Sequence, residues 1–415
     1  QEALRKVLNG TDYDKLNEKS SQQLIEDLNN TMRALIELTG DVKVLDNVFS
    51  DIVISVGKLI DIADKNNEAS NIKDLISTIN YAMEKNSSVA VSSDSVNTAD
   101  INDLKKILDF NDKLIESFEK TGKIVSRSLS SAISFKFNDG TVRINSQDLA
   151  AQSMTVGLKR SARYTSVILE PEKLKSGPAN IRLPYAGGGK NTTVVLKKDG
   201  KEINIGGIYD ASLKMITFTA YESGDYYIIE NPVSFKDLDG YEWAEEYILS
   251  LASKGIVSGR GNEMFAPGES ITRAEFAALA IRVLKARPGT GRSLSFNDVP
   301  GDSWYNEAVL QVVEQGIMKG KSDAVFDPEG RITRQEISVV MANILKKLGY
   351  SSTDSTLLSQ FEDRDTIALW AAEESLLAVE KSLIKGDNGR FKPLSHATRA
   401  ETAIMLDRLY ILILK

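Results

Sequence analysis

The chain has 415 residues, room for two to four domains, with a formal net charge of −7 and a sequence pI of about 5.2. That balance makes general nucleic-acid binding a poor expectation. With no cysteine and a single histidine, His396, disulfides, thiolate nucleophiles, His- or Cys-ligated metal and a Ser-His-Asp triad are all disfavoured. No catalytic residue, metal or cofactor is therefore expected.

Residues 1–125 carry a helical period. Leu24, Leu28, Met32 and Leu35 recur at three- and four-residue spacing, and Leu45, Val48, Phe49, Ile52, Val56, Leu59 and Ile60 continue the stripe. Gly40-Asp41 reads as a turn, Ile72 to Met83 as a further helix, residues 86 to 98 as a Ser-rich loop, and Ala99 to Phe118 as another helix. Each apolar stripe needs a partner, so an all-α N-terminal bundle is the expected solution.

Near Ser130 the period changes from 3.6 to 2. Ile133, Phe135 and Phe137 alternate up to Asn138-Asp139-Gly140, and Val142 and Ile144 alternate after it, which signals a hairpin. Tyr164–Leu169 reads as a strand, and Val194–Lys198 and Glu202–Ile205 flank Asp199-Gly200 as a second hairpin. Met215–Ala220 and Tyr226–Glu230 read as a third pair across Ser223-Gly224-Asp225. Residues 130–231 are thus expected to form a small all-β domain, a sandwich or a barrel.

From Phe235 onward one pattern is written three times. The first copy runs Phe235-Lys236-Asp237, Trp243-Ala244, Gly255-Ile256-Val257-Ser258-Gly259, Phe265-Ala266-Pro267 and Thr272-Arg273-Ala274-Glu275. The second runs Phe296-Asn297-Asp298, Trp304-Tyr305, Gly316-Ile317-Met318-Lys319-Gly320, Phe326-Asp327-Pro328 and Thr333-Arg334-Gln335-Glu336. The third runs Phe361-Glu362-Asp363, Trp370-Ala371, Ser382-Leu383-Ile384-Lys385-Gly386, Phe391-Lys392-Pro393 and Thr398-Arg399-Ala400-Glu401. All three Trp residues of the chain fall at one repeat position. The domain bounds read as 1–125, 130–231, 233–290, 291–355 and 356–415. Each repeat predicts a helix starting near the Trp and another after the Thr-Arg pair. Units this small bury a core by packing together, most simply around a pseudo-threefold axis.

Thr and Glu of the last motif fit a capping box, in which the Thr oxygen takes the N3 amide and Glu returns to the cap amide. Capping does not need Arg. Arg273, Arg334 and Arg399 sit where a cation opposes the helix dipole, so an anion bound by the guanidinium and the helix-end amides is the favoured reading. The alternative is a structural salt bridge, for instance to Asp237, Asp298 or Asp363. Gly259, Gly320 and Gly386 either end a helix or let a sugar ring approach the backbone. Trp243, Trp304 and Trp370 are either core or flat faces for a sugar. Phe265, Phe326 and Phe391 read as core.

These motifs together resemble three tandem S-layer homology (SLH) domains over residues 233–415. The resemblance implies an exported bacterial surface protein, non-covalently anchored by secondary cell wall polysaccharide that often carries pyruvate ketals. It implies a three-pronged helical unit with ligand grooves between the prongs. The carboxylate of the pyruvate would then meet Arg273, Arg334 and Arg399, with Asp, Trp and Gly partners at the matching positions. The third copy departs most, with Ser382 for the first turn glycine, and its groove is the least secure. The fold expected for the whole is multidomain: an all-α bundle, a small all-β domain and an all-α three-repeat SLH module. Residues 1–230 are open to self-association, in a surface-layer subunit, or to another surface protein. A wall-tethered polysaccharide hydrolase is the alternative, although no carboxylate pair stands out. No apolar run has the length of a transmembrane helix, and Leu409–Leu414 reads as the buried end of a last helix. The chain begins at Gln1 with no signal peptide in view, which reads as a processed or trimmed form of a longer exported protein.

Overall fold

The computed structural model describes residues 87–101, 132–145, 154–170, 177–284, 296–350 and 356–414, together with a few isolated positions. Among them are twelve strands, followed by six α-helices between residues 242 and 414.

The strands begin earlier than the sequence pattern predicts. Ser88–Ala90 (β1) and Ser95–Asn97 (β2) lie inside the span expected to be a helical bundle, in the stretch expected to be a loop. The expected all-α N-terminal bundle is thereby corrected. The described residues show two sheets and no such bundle, and the helices expected before Ser88 and over Ala99–Phe118 lie outside them but for isolated positions. Three-residue strands of Ser, Val, Ala and Asn carry no readable period; pairing makes them strands. β1 runs parallel to Ala132–Phe137 (β3) with Ser88 opposite Ser134. β2 runs antiparallel to Thr155–Arg160 (β5) with Ser95 opposite Gly157.

The remaining strands are Gly140–Asn145 (β4), Thr165–Glu170 (β6), Ala179–Pro184 (β7), Thr192–Lys198 (β8), Lys201–Gly206 (β9), Ile208–Asp210 (β10), Met215–Ala220 (β11) and Gly224–Glu230 (β12). One sheet has the order β1-β3-β4-β7-β11-β10 and the other β2-β5-β6-β12-β8-β9. Two expected hairpins form, β3–β4 and β8–β9. In the second, Asp199 (φ 51°) and Gly200 (φ 72°) are both left-handed, as a two-residue turn matched to strand twist requires. The third expected hairpin does not form. β11 pairs with β7 and β10, whereas β12 pairs with β6 and β8, so the chain crosses between sheets at Tyr221-Glu222-Ser223. Alternation put Ile216 and Phe218 on one inner face and Tyr226 on the other, and burying both faces together is what separates the strands. Phe135, Ile181 and Phe218 from one sheet meet Leu169, Leu196 and Tyr226 from the other in one core, a sandwich.

Each repeat contributes two helices: Glu242–Ser253 (α1) and Arg273–Leu284 (α2), Asn306–Glu314 (α3) and Arg334–Lys347 (α4), Leu369–Glu380 (α5) and Arg399–Leu414 (α6). The first helix of each ends at a left-handed residue: Gly255 (φ 68°), Gly316 (φ 63°) and Ser382 (φ 57°). The repeats close on one another in a ring. α2 packs on α3, α4 on α5, and α6 back on α1. At the hub, the Ile332 amide donates to Ile271 O (3.1 Å), the Ala397 amide to Ile332 O (3.2 Å), and the Ile271 amide to Ala397 O (3.1 Å). This closed triangle of hydrogen bonds lies among three residues of 0% exposure. A single core runs through all three repeats.

The ring also docks on the sandwich. The Gly207 amide donates to the Tyr410 hydroxyl of α6 (2.7 Å), and Asn204 and Asn231 both donate to Ser253 O at the end of α1 (2.9 and 2.7 Å). The C-terminal hydrophobic run is thus the buried end of the last helix, as expected, with Leu409, Tyr410 and Leu414 enclosed.

Candidate functional site

The Phe-x-Asp and Phe-x-Pro motifs form one device in each repeat. Asp237 accepts from the Phe265 and Ala266 amides (2.8 and 2.7 Å). Asp298 accepts from Phe326 and Asp327 (2.9 and 2.7 Å), and Asp363 from Phe391 and Lys392 (2.7 and 2.8 Å). The spacing from carboxylate to first amide is 28 residues in all three, so the extra residue before Trp370 and the missing one before Phe391 cancel. The second amide belongs each time to a left-handed residue, Ala266, Asp327 or Lys392 (φ 60°, 62° and 55°), and the carboxylate holds that conformation in place. The structure thus occupies Asp237, Asp298 and Asp363 with loop shaping, and none has a hydrogen bond to the arginines.

The capping boxes form as expected. Thr272, Thr333 and Thr398 amides donate to Oε2 of Glu275, Glu336 and Glu401 (3.0, 2.8 and 2.9 Å), and the Glu amides return to the Thr hydroxyls. The next two amides of each helix are not open to an anion. Arg273 and Ala274 amides donate to Gly330 O and Pro328 O of the second repeat; Arg334 and Gln335 to Ser395 O and Pro393 O of the third; Arg399 and Ala400 to Glu269 O and Pro267 O of the first. The expectation of exposed helix-end amides beside the guanidinium is corrected, because the neighbouring repeat's loop satisfies them.

The arginines reach the same neighbours. Arg273 donates from Nε to Phe326 O (2.9 Å), from Nη2 to Lys319 O (2.8 Å) and from Nη1 to Glu336 Oε1 (3.1 Å). Arg334 donates from Nε to Phe391 O (2.9 Å) and from Nη1 to Glu401 Oε1 (3.1 Å). Arg399 donates from Nε to Phe265 O and from Nη2 to Ser258 O (both 2.8 Å). All three are buried, at 4%, 5% and 9% exposure. Burial lowers each guanidinium from its ordinary value. Glu336 and Asp327 oppose this at Arg273 and Glu401 at Arg334, while at Arg399 nearby Arg260 adds to the lowering. Burial also works against the Glu336 carboxylate, but hydrogen bonds from Lys321 and Thr333 overcome it and hold the carboxyl below the usual range.

Grooves open at two of these junctions, each assembled from all three repeats. The first, a cavity of about 240 Å³, takes its turn (Ser258, Gly259, Arg260) and Glu275 from repeat 1, Arg399 from repeat 3 and Trp304 from repeat 2. The third, of about 360 Å³, takes Lys385, Gly386, Asp387 and Glu401 from repeat 3, Arg334 from repeat 2 and Trp243 from repeat 1. At the middle junction Arg273 reaches Lys319 O and Glu336, which Lys321 also holds, in the same way. Trp243, Trp304 and Trp370 are 51%, 64% and 58% exposed, so their rings are surface faces and not core. Phe265, Phe326 and Phe391 are core.

Gly259, Gly320 and Gly386 do not end the helices, a task that falls to Gly255, Gly316 and Ser382. A Cβ at Gly320 would lie 2.4 Å from Ser322 O and 2.6 Å from the Phe296 ring, and one at Gly386 2.5 Å from the Phe361 ring. These glycines let the turn lie against the first aromatic residue of its own repeat.

The sequence profile of the S-layer homology domain matches residues 234–277, 295–337 and 360–403. Residues 234–403 are three SLH domains. Similar chains include the amylopullulanase of Thermoanaerobacterium thermosulfurigenes, 32% identical over 203 residues, which are 49% of this chain and 11% of that protein. The surface-layer 125 kDa protein of Lysinibacillus sphaericus is 32% identical over 178 residues (42% and 14%), and the S-layer protein sap of Bacillus anthracis 29% over 170 residues (41% and 20%). The matched part spans between 11% and 20% of the length of these relatives. The SLH domains make the chain a secreted protein of the cell surface or cell wall that carries an anchoring module. No helix among the described residues is long and apolar enough to cross a membrane.

Sequence reasoning passed over the residue after each turn glycine (Arg260, Lys321 and Asp387) and the groove arginines Arg282 and Arg408. Arg282 and Arg408 occupy one register in α2 and α6 and donate to Ile256 O and Leu383 O (both 3.3 Å). Their equivalence across repeats was readable; their position in a groove was not.

Proposed function

We propose that the SLH grooves bind an acidic secondary cell wall polysaccharide, pyruvylated at the contacted sugar, and so hold the chain non-covalently at the wall. The carrying observation is the first groove, where the buried Arg399 lies in one cavity with the exposed indole of Trp304. A fixed guanidinium suits a carboxylate, and a flat indole face suits the C–H side of a sugar ring. Several weak sites on one rigid ring gain by avidity along a polymer. In this reading Arg273, Arg334 and Arg399 serve both as the ties between repeats and as the charged floor of the grooves. The glycines and aspartates act by shaping the loops.

The reading assigns no catalysis to the chain. Amylopullulanase and S-layer proteins share the matched region while their names differ, which fits a common tether. The S-layer relatives favour a lattice subunit, with self-association or partner binding through residues 1–230, over a tethered hydrolase.

The test is calorimetric binding of the full chain to purified wall polysaccharide before and after mild acid removal of pyruvate. Binding that weakens about tenfold or more without pyruvate supports the reading. Equal affinity for both polymers sinks the pyruvate contact, and no affinity for either sinks the anchoring polysaccharide.

A further inference from the structure

The junctions are built on one plan but do not hold one charge. They differ before the turn glycine (Ser258, Lys319 and Lys385) and, in sign, after it (Arg260, Lys321 and Asp387). In the first groove Arg260 pairs through Nη1 with Glu275, the carboxylate that the cyclic pattern would give to Arg399. Arg399 keeps its two bonds to backbone carbonyls, and among the described residues nothing accepts from its Nη1. A guanidinium 9% exposed thus lines a cavity with one nitrogen uncommitted and a second guanidinium beside it.

In the middle junction Lys321 joins Arg273 on Glu336 Oε1 (2.5 and 3.1 Å), and all three guanidinium nitrogens of Arg273 are engaged. In the third groove the same position is an anion. Asp387 lines the cavity with Arg334 and pairs outward with Lys392, while Arg334 already gives Nη1 to Glu401. A carboxylate arriving there meets Asp387 and Glu401 among the cations Arg334, Lys385 and Arg408, whereas in the first groove Glu275 is the one lining carboxylate among Arg260, Arg282 and Arg399.

Resting on the groove-binding reading above, we infer that the residue after the turn glycine selects the charge each groove accepts. Arg260 makes the first groove the stronger subsite for a carboxylated sugar. Asp387 makes the third groove the poorer one and leaves Trp243 to take an uncharged sugar unit. One chain thereby reads a polymer in which charged and uncharged units alternate, and does not read the same unit three times.

Trp304 lines the first groove and Trp243 the third, so the two report separately. The full chain labelled with 5-fluorotryptophan gives three fluorine resonances, assigned by single Trp→Phe substitutions. The probes are methyl β-glucuronide and methyl β-glucoside, which share a ring and differ in the carboxylate. The inference predicts that Trp304 responds to the glucuronide at least about tenfold below the concentration that moves Trp243. It also predicts that Asp387→Lys removes that gap at Trp243 and that Arg260→Gln narrows it from the Trp304 side. Arg260 and Asp387 are exposed or half-exposed, so both variants are expected to keep the wild-type melting curve. Equal response of the two indoles, or an unchanged Trp243 in Asp387→Lys, overturns the selector and leaves groove binding standing. No response of any indole to either probe, together with no affinity for the wall polysaccharide, counts against the groove-binding reading itself.

Discussion

Arg273 and Glu336 belong to different repeats, yet Arg273 Nη1 donates to Glu336 Oε1 at 3.1 Å while Glu336 Oε2 caps its own helix through the Thr333 amide at 2.8 Å. One carboxylate therefore ends a helix and joins two repeats. Arg334 and Glu401 repeat the relationship, whereas Glu275 pairs with Arg260 of its own repeat and Arg399 closes the last junction through backbone carbonyls alone. Helix capping and ring closure are thus coupled at two of the three junctions.

Removal of a buried arginine should loosen the ring. Arg273→Ala leaves Phe326 O and Lys319 O without that donor and Glu336 with Lys321 as its remaining cation, and the expected loss is about 3 kcal/mol in urea unfolding. Arg273→Lys restores the charge but not the three-pronged fork, so it should recover less than half of that loss. A loss of binding in either variant is consequently not evidence of ligand contact unless stability is measured beside it.

The Asp clamp predicts a separate cost. Asp363→Ala frees the Phe391 and Lys392 amides and the left-handed residue they include, for an expected loss of about 1–3 kcal/mol. Asp363→Asn keeps one acceptor and should fall between, as read by thermal melting.

Two backbone positions should respond with opposite sign. Gly320→Ala places a methyl group against Ser322 O and the Phe296 ring and should destabilise by about 1–3 kcal/mol. Ser382→Gly relieves a left-handed non-glycine residue at the end of α5 and should stabilise by about 0.5–1 kcal/mol. Denaturation midpoints of the two variants check both.

Lys254 gives the pH dependence. Burial lowers its ammonium from 10.5 to about 8 at the contact with the sandwich, where it donates to Lys190 O (2.7 Å) and Ser250 O (3.0 Å). Between those values the unfolded chain binds a proton that the folded chain has released, so stability should rise with pH from about 8 toward 10. The rise attributable to this group is on the order of 3 kcal/mol at most. Burial also raises the Tyr410 hydroxyl well above its ordinary value, and that group costs stability only as pH passes 10. Lys254→Met should flatten the climb; an unchanged slope would assign it to other groups.

What the sequence made legible was local or repeated. The capping boxes span three residues and need no tertiary partner, and the recurrence of Phe, Asp, Trp and Gly exposed the repeats before any contact was known. The Asp clamp spans 28 residues and its partners are backbone amides, which leave no mark on side-chain identity. The arginines announced themselves by opposing the helix dipole, but most of their acceptors are carbonyls of the next repeat and equally silent. β1 and β2 are too short for a period, and the three-residue link between β11 and β12 imitates a hairpin while joining two sheets. In each case the deciding interaction used a backbone group distant in sequence.

The most direct test of anchoring through the grooves is the pair Trp304→Ala and Trp243→Ala, singly and together, in the full chain. Both indoles are more than half exposed, so melting temperatures should stay within about 2 °C of wild type. Binding to purified wall polysaccharide should weaken about tenfold for Trp304→Ala, less for Trp243→Ala, and fall below detection in the double variant. Wild-type binding by a correctly folded double variant would contradict the account and place the ligand outside these grooves.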